Sequence, residues 1–209
     1  AAPAPAAPAS DEPAEAAPAP GPTSQTPRKL GDFHVYQYAG TFSKEPVTLT
    51  EQVVGREGEL LVVDFVLQEG NAMSALRVRM KPSGEVASVF RILDDGEVAA
   101  TVAEYEAIIQ RTALVPDSND RVLSSEKTSC LVGDEAVDCE VTTYQVTVGD
   151  RSAKLTITRS AKLPGRDLGG DVVTDDGTVL YSARLIERGN EPPVVEALAR
   201  MDRFTPDGP

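Results

Sequence analysis

The sequence predicts an α+β fold that is mainly antiparallel β: a curved sheet or sandwich with two amphipathic helices, over about 101–113 and 191–203, packed on one face. Three observations lead there. Short runs alternate apolar and polar residues between turn signals. Several pairs of runs are joined by turns whose own geometry chooses the register that buries the apolar side chains. Two other stretches carry apolar residues at helical spacing behind helix-start signals.

The chain has 209 residues, 41% of them hydrophobic, which suffices for one domain with a core. Residues 1–28 differ from the rest. They hold eight of the sixteen prolines and almost no large apolar side chain. Such a segment cannot bury enough surface to offset its ordering entropy, so it reads as a disordered Ala/Pro-rich tether. Residues 29–205 read as a single globular β-rich domain and 206–209 as a flexible C-terminus. Of the formal charge of −13, Asp11, Glu12 and Glu15 against Arg28 account for −2, leaving −11 on the body. That balance disfavours nucleic acid, whose phosphates need positive surface. No apolar run is long enough for a membrane-spanning helix, and no charged leader precedes an apolar one, so the chain reads as a mature or trimmed form.

In chain order the strands are expected over 33–39, 47–54, 59–68, 72–80, 85–93, 137–148, 151–160, 171–174 and 178–187. Leu60 to Leu67 is apolar on both pleats apart from Asp64, so this strand is expected to be central. The Gly149-Asp150 turn is a primed-turn signal. It pairs Val146 with Ala153, Tyr144 with Leu155 and Thr142 with Ile157, leaving Thr147, Gln145 and Thr143 opposite Ser152, Lys154 and Thr156. The turn over Pro82-Ser83-Gly84 sets Lys81 against Glu85, Met80 against Val86 and Leu76 against Phe90. Asp175-Asp176-Gly177 returns Val172 and Val173 against Val179 and Leu180.

Thr101 and Glu104 form a capping box, and Val102, Tyr105, Ile108 and Ile109 follow as an apolar stripe. The second helix begins near Asn190, with Pro192 and Pro193 in its first turn and Val194, Val195, Leu198 and Met201 as its buried face.

Cys130 and Cys139 enclose eight residues that include Gly133-Asp134. This is the layout of two strands leaving a short loop with the cysteines opposite each other, and it predicts a disulfide. A disulfide implies an oxidising compartment. There is no Asn-x-Ser/Thr acceptor, and the Ala-rich usage with Arg over Lys leans toward a bacterial envelope.

No catalytic or metal constellation stands out. His34 is the one histidine; alternation puts His34, Tyr36 and Tyr38 on one face, a candidate ligand face whose commoner reading is a half-buried strand histidine. Ser124-x-x-Lys127 matches part of a serine acylase motif without its companions. Asp117, Asn119 and Asp120 hint at a cation loop but lack its glycine and distal glutamate. The glycines at 165, 169 and 170 mark a wide loop, without the strand–loop–helix context of a phosphate cradle. Arg77, Arg79 and Lys81 share one pleat, with Arg91 nearby: the candidate surface for an anion or partner, unless neighbouring carboxylates occupy it.

The reading that follows is a non-enzymatic extracytoplasmic protein, periplasmic, outer-membrane-tethered or secreted. It binds or scaffolds another envelope protein and is tethered by its tail. One alternative is a carrier of a lipid or other apolar ligand in the curved sheet; the expected architecture is generically similar to periplasmic lipoprotein-carrier folds, a likeness of fold alone. The other is a hydrolase using carboxylates or His34. No cofactor is expected, and membrane contact is expected only through an N-terminal lipid anchor.

Overall fold

The computed structural model describes residues 28–112, 118–163 and 167–190. The tail over 1–27, the helix expected over 191–203 and the stretch 206–209 lie outside the described residues. A first meander runs through β1 (Phe33–Gly40), β2 (Val47–Glu57), β3 (Leu60–Glu69), β4 (Ala72–Met80), β5 (Val86–Leu93) and β6 (Gly96–Ala100). Helix α1 (Val102–Arg111) follows. A second meander runs through β7 (Ser118–Val132), β8 (Glu135–Val148), β9 (Arg151–Arg159), β10 (Gly169–Thr174) and β11 (Val179–Gly189). The spatial order is β6-β5-β4-β3-β2-β1-β11-β10-β9-β8-β7 in one open antiparallel sheet. First and last strands therefore meet at the centre and join the two meanders.

This corrects the expected class. The described chain is nearly all antiparallel β, not α+β with two helices on one face, and α1 is its one helix. The difference lies in two stretches without an alternating apolar pattern. Residues 96–100 and the first part of the 118–132 segment are strands β6 and β7, at the two edges of the sheet. An edge strand that buries neither pleat leaves no periodic signal to read.

α1 forms as its cap predicts. Glu104 N–H donates to Thr101 Oγ1 at 3.3 Å, and Thr101 N–H donates to Glu104 Oε1 at 3.1 Å. The helix buries Ile108, sets Tyr105 edge-on to Phe65 with ring centres 5.1 Å apart, and leaves Val102 exposed. Its end is tied down by Tyr181 of β11, whose hydroxyl donates to Thr112 O at 2.9 Å.

The β8–β9 hairpin has the register its Gly149-Asp150 turn dictates: Val146, Tyr144 and Thr142 face Ala153, Leu155 and Ile157. β3 is interior and buried on both pleats over most of its length. Two other registers depart from expectation. Met80 faces Val86, but a bulge then slips the β4–β5 ladder by one residue, so Leu76 faces Arg91 and Phe90 faces Arg77. The bulge lets Val86 and Val89, three residues apart, both turn to the core, which strict alternation forbids. In β10–β11, Val173 faces Val179, but a bulge puts Val172 opposite Tyr181 instead of Leu180.

Gly169 and Gly170 belong to β10 rather than to a wide loop. A Cβ on Gly169 would stand 2.6 Å from Ala183 O, and one on Gly170 2.8 Å from Thr156 O. These glycines let three backbones approach closely.

The β7–β8 hairpin outreaches β9, whose last pair is Arg159 with Glu140. Beyond that point it buries Val137 and Cys139, on the pleat opposite to Val146 and Tyr144. Its tip returns to β11: Gly133 lies beside Ile186 O, and Glu135 pairs with Arg188. The sheet thus rolls until its far hairpin reaches back across β10 and β9.

Candidate functional site

The roll creates a cleft of about 320 Å³ where the two meanders join, lined by Asp32, His34, Glu135, Arg188, Gly189 and Asn190. β1 supplies His34, which stands opposite Glu51 of β2 on one side and Arg188 of β11 on the other. A bulge in β11 at Ile186 sets this last pairing. The hairpin tip supplies Glu135. Asp32 is held at the rim, its Oδ1 accepting from Asn190 Nδ2 at 2.6 Å and its Oδ2 from Lys29 N–H at 2.6 Å.

His34 is buried. Loss of hydration holds its pKa below the usual 6.5, and the nearby Arg28 guanidinium pushes the same way; Glu51 and Asp32 oppose without prevailing. The imidazole is therefore neutral at neutral pH, flanked by charges of both signs. Glu51 is buried beneath it and accepts from Arg28 Nη1 at 3.3 Å. Neutral imidazole beside carboxylates can accept or relay a proton. The lining includes no serine, threonine or cysteine; its chemistry is that of two carboxylates, one imidazole and one guanidinium.

Tyr36 and Tyr38 continue from His34 as a ladder of rings with centres 6.2 Å apart, which Tyr181 and Phe42 extend. Alternation correctly puts the three β1 residues on one pleat. Tyr36 and Tyr38 are 4% and 2% exposed, so only His34 of the three lines the cleft.

The basic stripe is separated by the β4–β5 bulge. Arg77 and Arg79 share a pleat, and both donate to Glu97; Arg77 also grips Asp64, and Arg79 grips Glu57 and stacks on the Phe90 ring at 4.3 Å. Hydrogen bonds donated to these carboxylates raise both guanidinium pKa values. Lys81 closes on Glu85 in the adjoining turn. Arg91 shares its pleat with Leu76 instead and pairs with the capping residue Glu104. The four cations are engaged by carboxylates of the same chain.

Cys130 and Cys139 form the expected disulfide, with Cα atoms 6.0 Å apart. They are not directly opposite: Cys130 faces Val137 and Cys139 faces Thr128, so the bridge runs diagonally across the β7–β8 ladder. Ser124 and Lys127 lie in extended β7 on opposite pleats, which removes the helical turn an S-x-x-K acylase needs. Asn119 and Asp120 also fall in β7, while Asp117 and Gly165 lie outside the described residues. Among the described residues no three His, Cys, Asp or Glu side chains gather as a metal site.

Sequence reasoning missed Arg188, Glu135 and Asn190, which are brought to His34 by long-range pairing, and Asp32, which precedes His34 by two residues. Glu51 had a signal: it interrupts the inward-facing series Val47, Leu49, Val53 of β2.

No known protein family matches the chain, and no curated protein does. Among solved structures it is similar to MucB, at 11% identity and a TM-score of 0.44, over 80% of this chain and 56% of that one. The chain thus spans little more than half the length of that structure.

Proposed function

We propose that this domain is a non-enzymatic binding or scaffold protein of an extracytoplasmic compartment, tethered by its Ala/Pro-rich N-terminal segment, and that it engages another envelope protein. The Cys130–Cys139 disulfide carries the reading. Such bonds persist where thiols are oxidised, outside the reducing cytosol.

The test is thiol trapping in cells of the source organism. An alkylating quench before lysis should leave both cysteines unmodified in the envelope or secreted fraction, with a mass two hydrogens below the dithiol. Alkylation of both cysteines in the freshly trapped protein would refute the proposal.

One observation favours the carrier reading. α1 buries only Ile108 and leaves Tyr105 and Ile109 half-buried, so it lies lightly on the sheet. Native mass spectrometry of protein from its own envelope decides between the two. Extra mass that organic solvent extracts supports the carrier; a bare chain supports the binding module.

A further inference from the structure

We propose that the outer edge of β7 is a docking strand, which takes an extended segment of a partner protein as a twelfth strand of the sheet. The proposal rests on the binding-module reading and names the surface that does the binding.

Among the described residues β7 is the last strand of the sheet and pairs only with β8. It is fifteen residues long, and 121–129 are exposed on both pleats. Unpaired edges of this length template further strands unless they are blunted. The opposite edge is blunted by brevity, since β6 has five residues. The first half of β7 is blunted by bulges between Asn119 and Arg121 and between Val122 and Ser124. From Ser124 to Val132 the register then runs unbroken.

This flush half is built for access. Ser124, Ser125, Thr128 and Ser129 are short side chains that leave the backbone edge uncovered. The diagonal disulfide clamps the same half to β8, so an incoming strand meets a fixed template. The edge therefore supplies main-chain hydrogen bonds, and its side chains choose the partner.

Glu126 and Leu131 make that choice. Glu126 is exposed and enters no ion pair among the described residues; Leu131 is 74% exposed, the most exposed large apolar side chain described. They lie five positions apart and so on opposite pleats. An added strand satisfies both with a Lys or Arg opposite Glu126 and an apolar residue five positions from it. The surroundings favour the cation. Over residues 124–140, Asp138 is engaged by Lys162 and Glu135 by Arg188, which leaves Glu126, Asp134 and Glu140 against Lys127.

The probe is a blocked nine-residue threonine peptide with one leucine and, five residues later, one lysine, arranged for antiparallel addition. Its control has glutamate for lysine. Amide shifts and hydrogen exchange are followed in the full chain at millimolar peptide. The lysine peptide should perturb and protect amides within Ser124–Val132 and bind about fivefold more tightly than the control, the value of exchanging a favourable for an unfavourable cross-strand charge pair. Glu126→Lys, a change at an exposed position, should reverse the preference. Protection elsewhere, equal binding of both peptides, or no perturbation would overturn the edge proposal. Binding at another surface would leave the binding-module reading standing, and reduced cysteines in cells would sink that reading without touching the peptide result.

Discussion

Arg77 holds Asp64 across the β3–β4 ladder through two parallel bonds, Nε to Oδ1 at 2.7 Å and Nη2 to Oδ2 at 2.8 Å. The Asp64 side chain is 12% exposed, in a strand otherwise apolar from Leu60 to Leu67. Arg77→Met should cost about 2–3 kcal/mol, because it leaves a largely buried carboxylate without its partner. Arg77→Met with Asp64→Val should recover most of that loss. Urea unfolding of wild type, single and double variants measures both. A double variant as weak as the single would show that the ion pair is not the source.

His34 makes stability depend on pH. Its pKa is lowered in the folded chain from the usual 6.5, so the unfolded chain takes up the proton first. The contribution is complete above 6.5 and is lost as pH falls through the folded value. The carboxylates with lowered pKa, such as Glu69 and Glu104, begin from an ordinary 4.5 and act at lower pH. Stability should therefore decline between about pH 7 and 5, and His34→Gln should flatten that slope. Denaturant midpoints across the range are the measurement, and an unchanged slope in the variant would count against it.

Removing the disulfide with Cys130→Ser and Cys139→Ser should cost about 2.5 kcal/mol, the value of closing so short a loop. The structure adds a location. Because the hairpin tip brings Glu135 to Arg188, amide exchange should quicken at 132–137 and also at the end of β11. Faster exchange at the tip alone would mean that the tip does not brace the cleft.

Gly40 and Gly84 both have positive φ, at +150° and +89°. A Cβ at Gly40 would stand 2.3 Å from the bulge carbonyl of Leu180; one at Gly84 would meet open space. Gly84→Ala should cost about 1–2 kcal/mol of backbone strain. Gly40→Ala should cost about 3 kcal/mol or more, because two backbones must also part. Thermal unfolding of the pair checks the ranking.

Much of the β-sheet was legible from local pattern. The Gly149-Asp150 turn sets the β8–β9 register and every pair then agrees, because turn twist and alternation are properties of neighbouring residues. β7 was largely illegible for the same reason: its middle, Ser-Ser-Glu-Lys-Thr-Ser, buries neither pleat. The β4–β5 slip was illegible because one extra residue inverts every pleat beyond it, and the energy that favours it comes from packing Val86 and Val89 together. That slip parted Arg91 from Arg77 and Arg79.

The sequence by itself determined the β8–β9 hairpin, the capped helix, the disulfide pair and the interior place of β3. Each depends on contacts between near neighbours or on a side-chain period. The tertiary structure alone decided that β1 pairs with β11, that the sheet stays open with β6 and β7 as its edges, and that His34 shares a cleft with Arg188 and Glu135. Those pairings join residues more than a hundred positions apart, and they depend on how far the sheet rolls, a sum of twists and bulges that no local window contains.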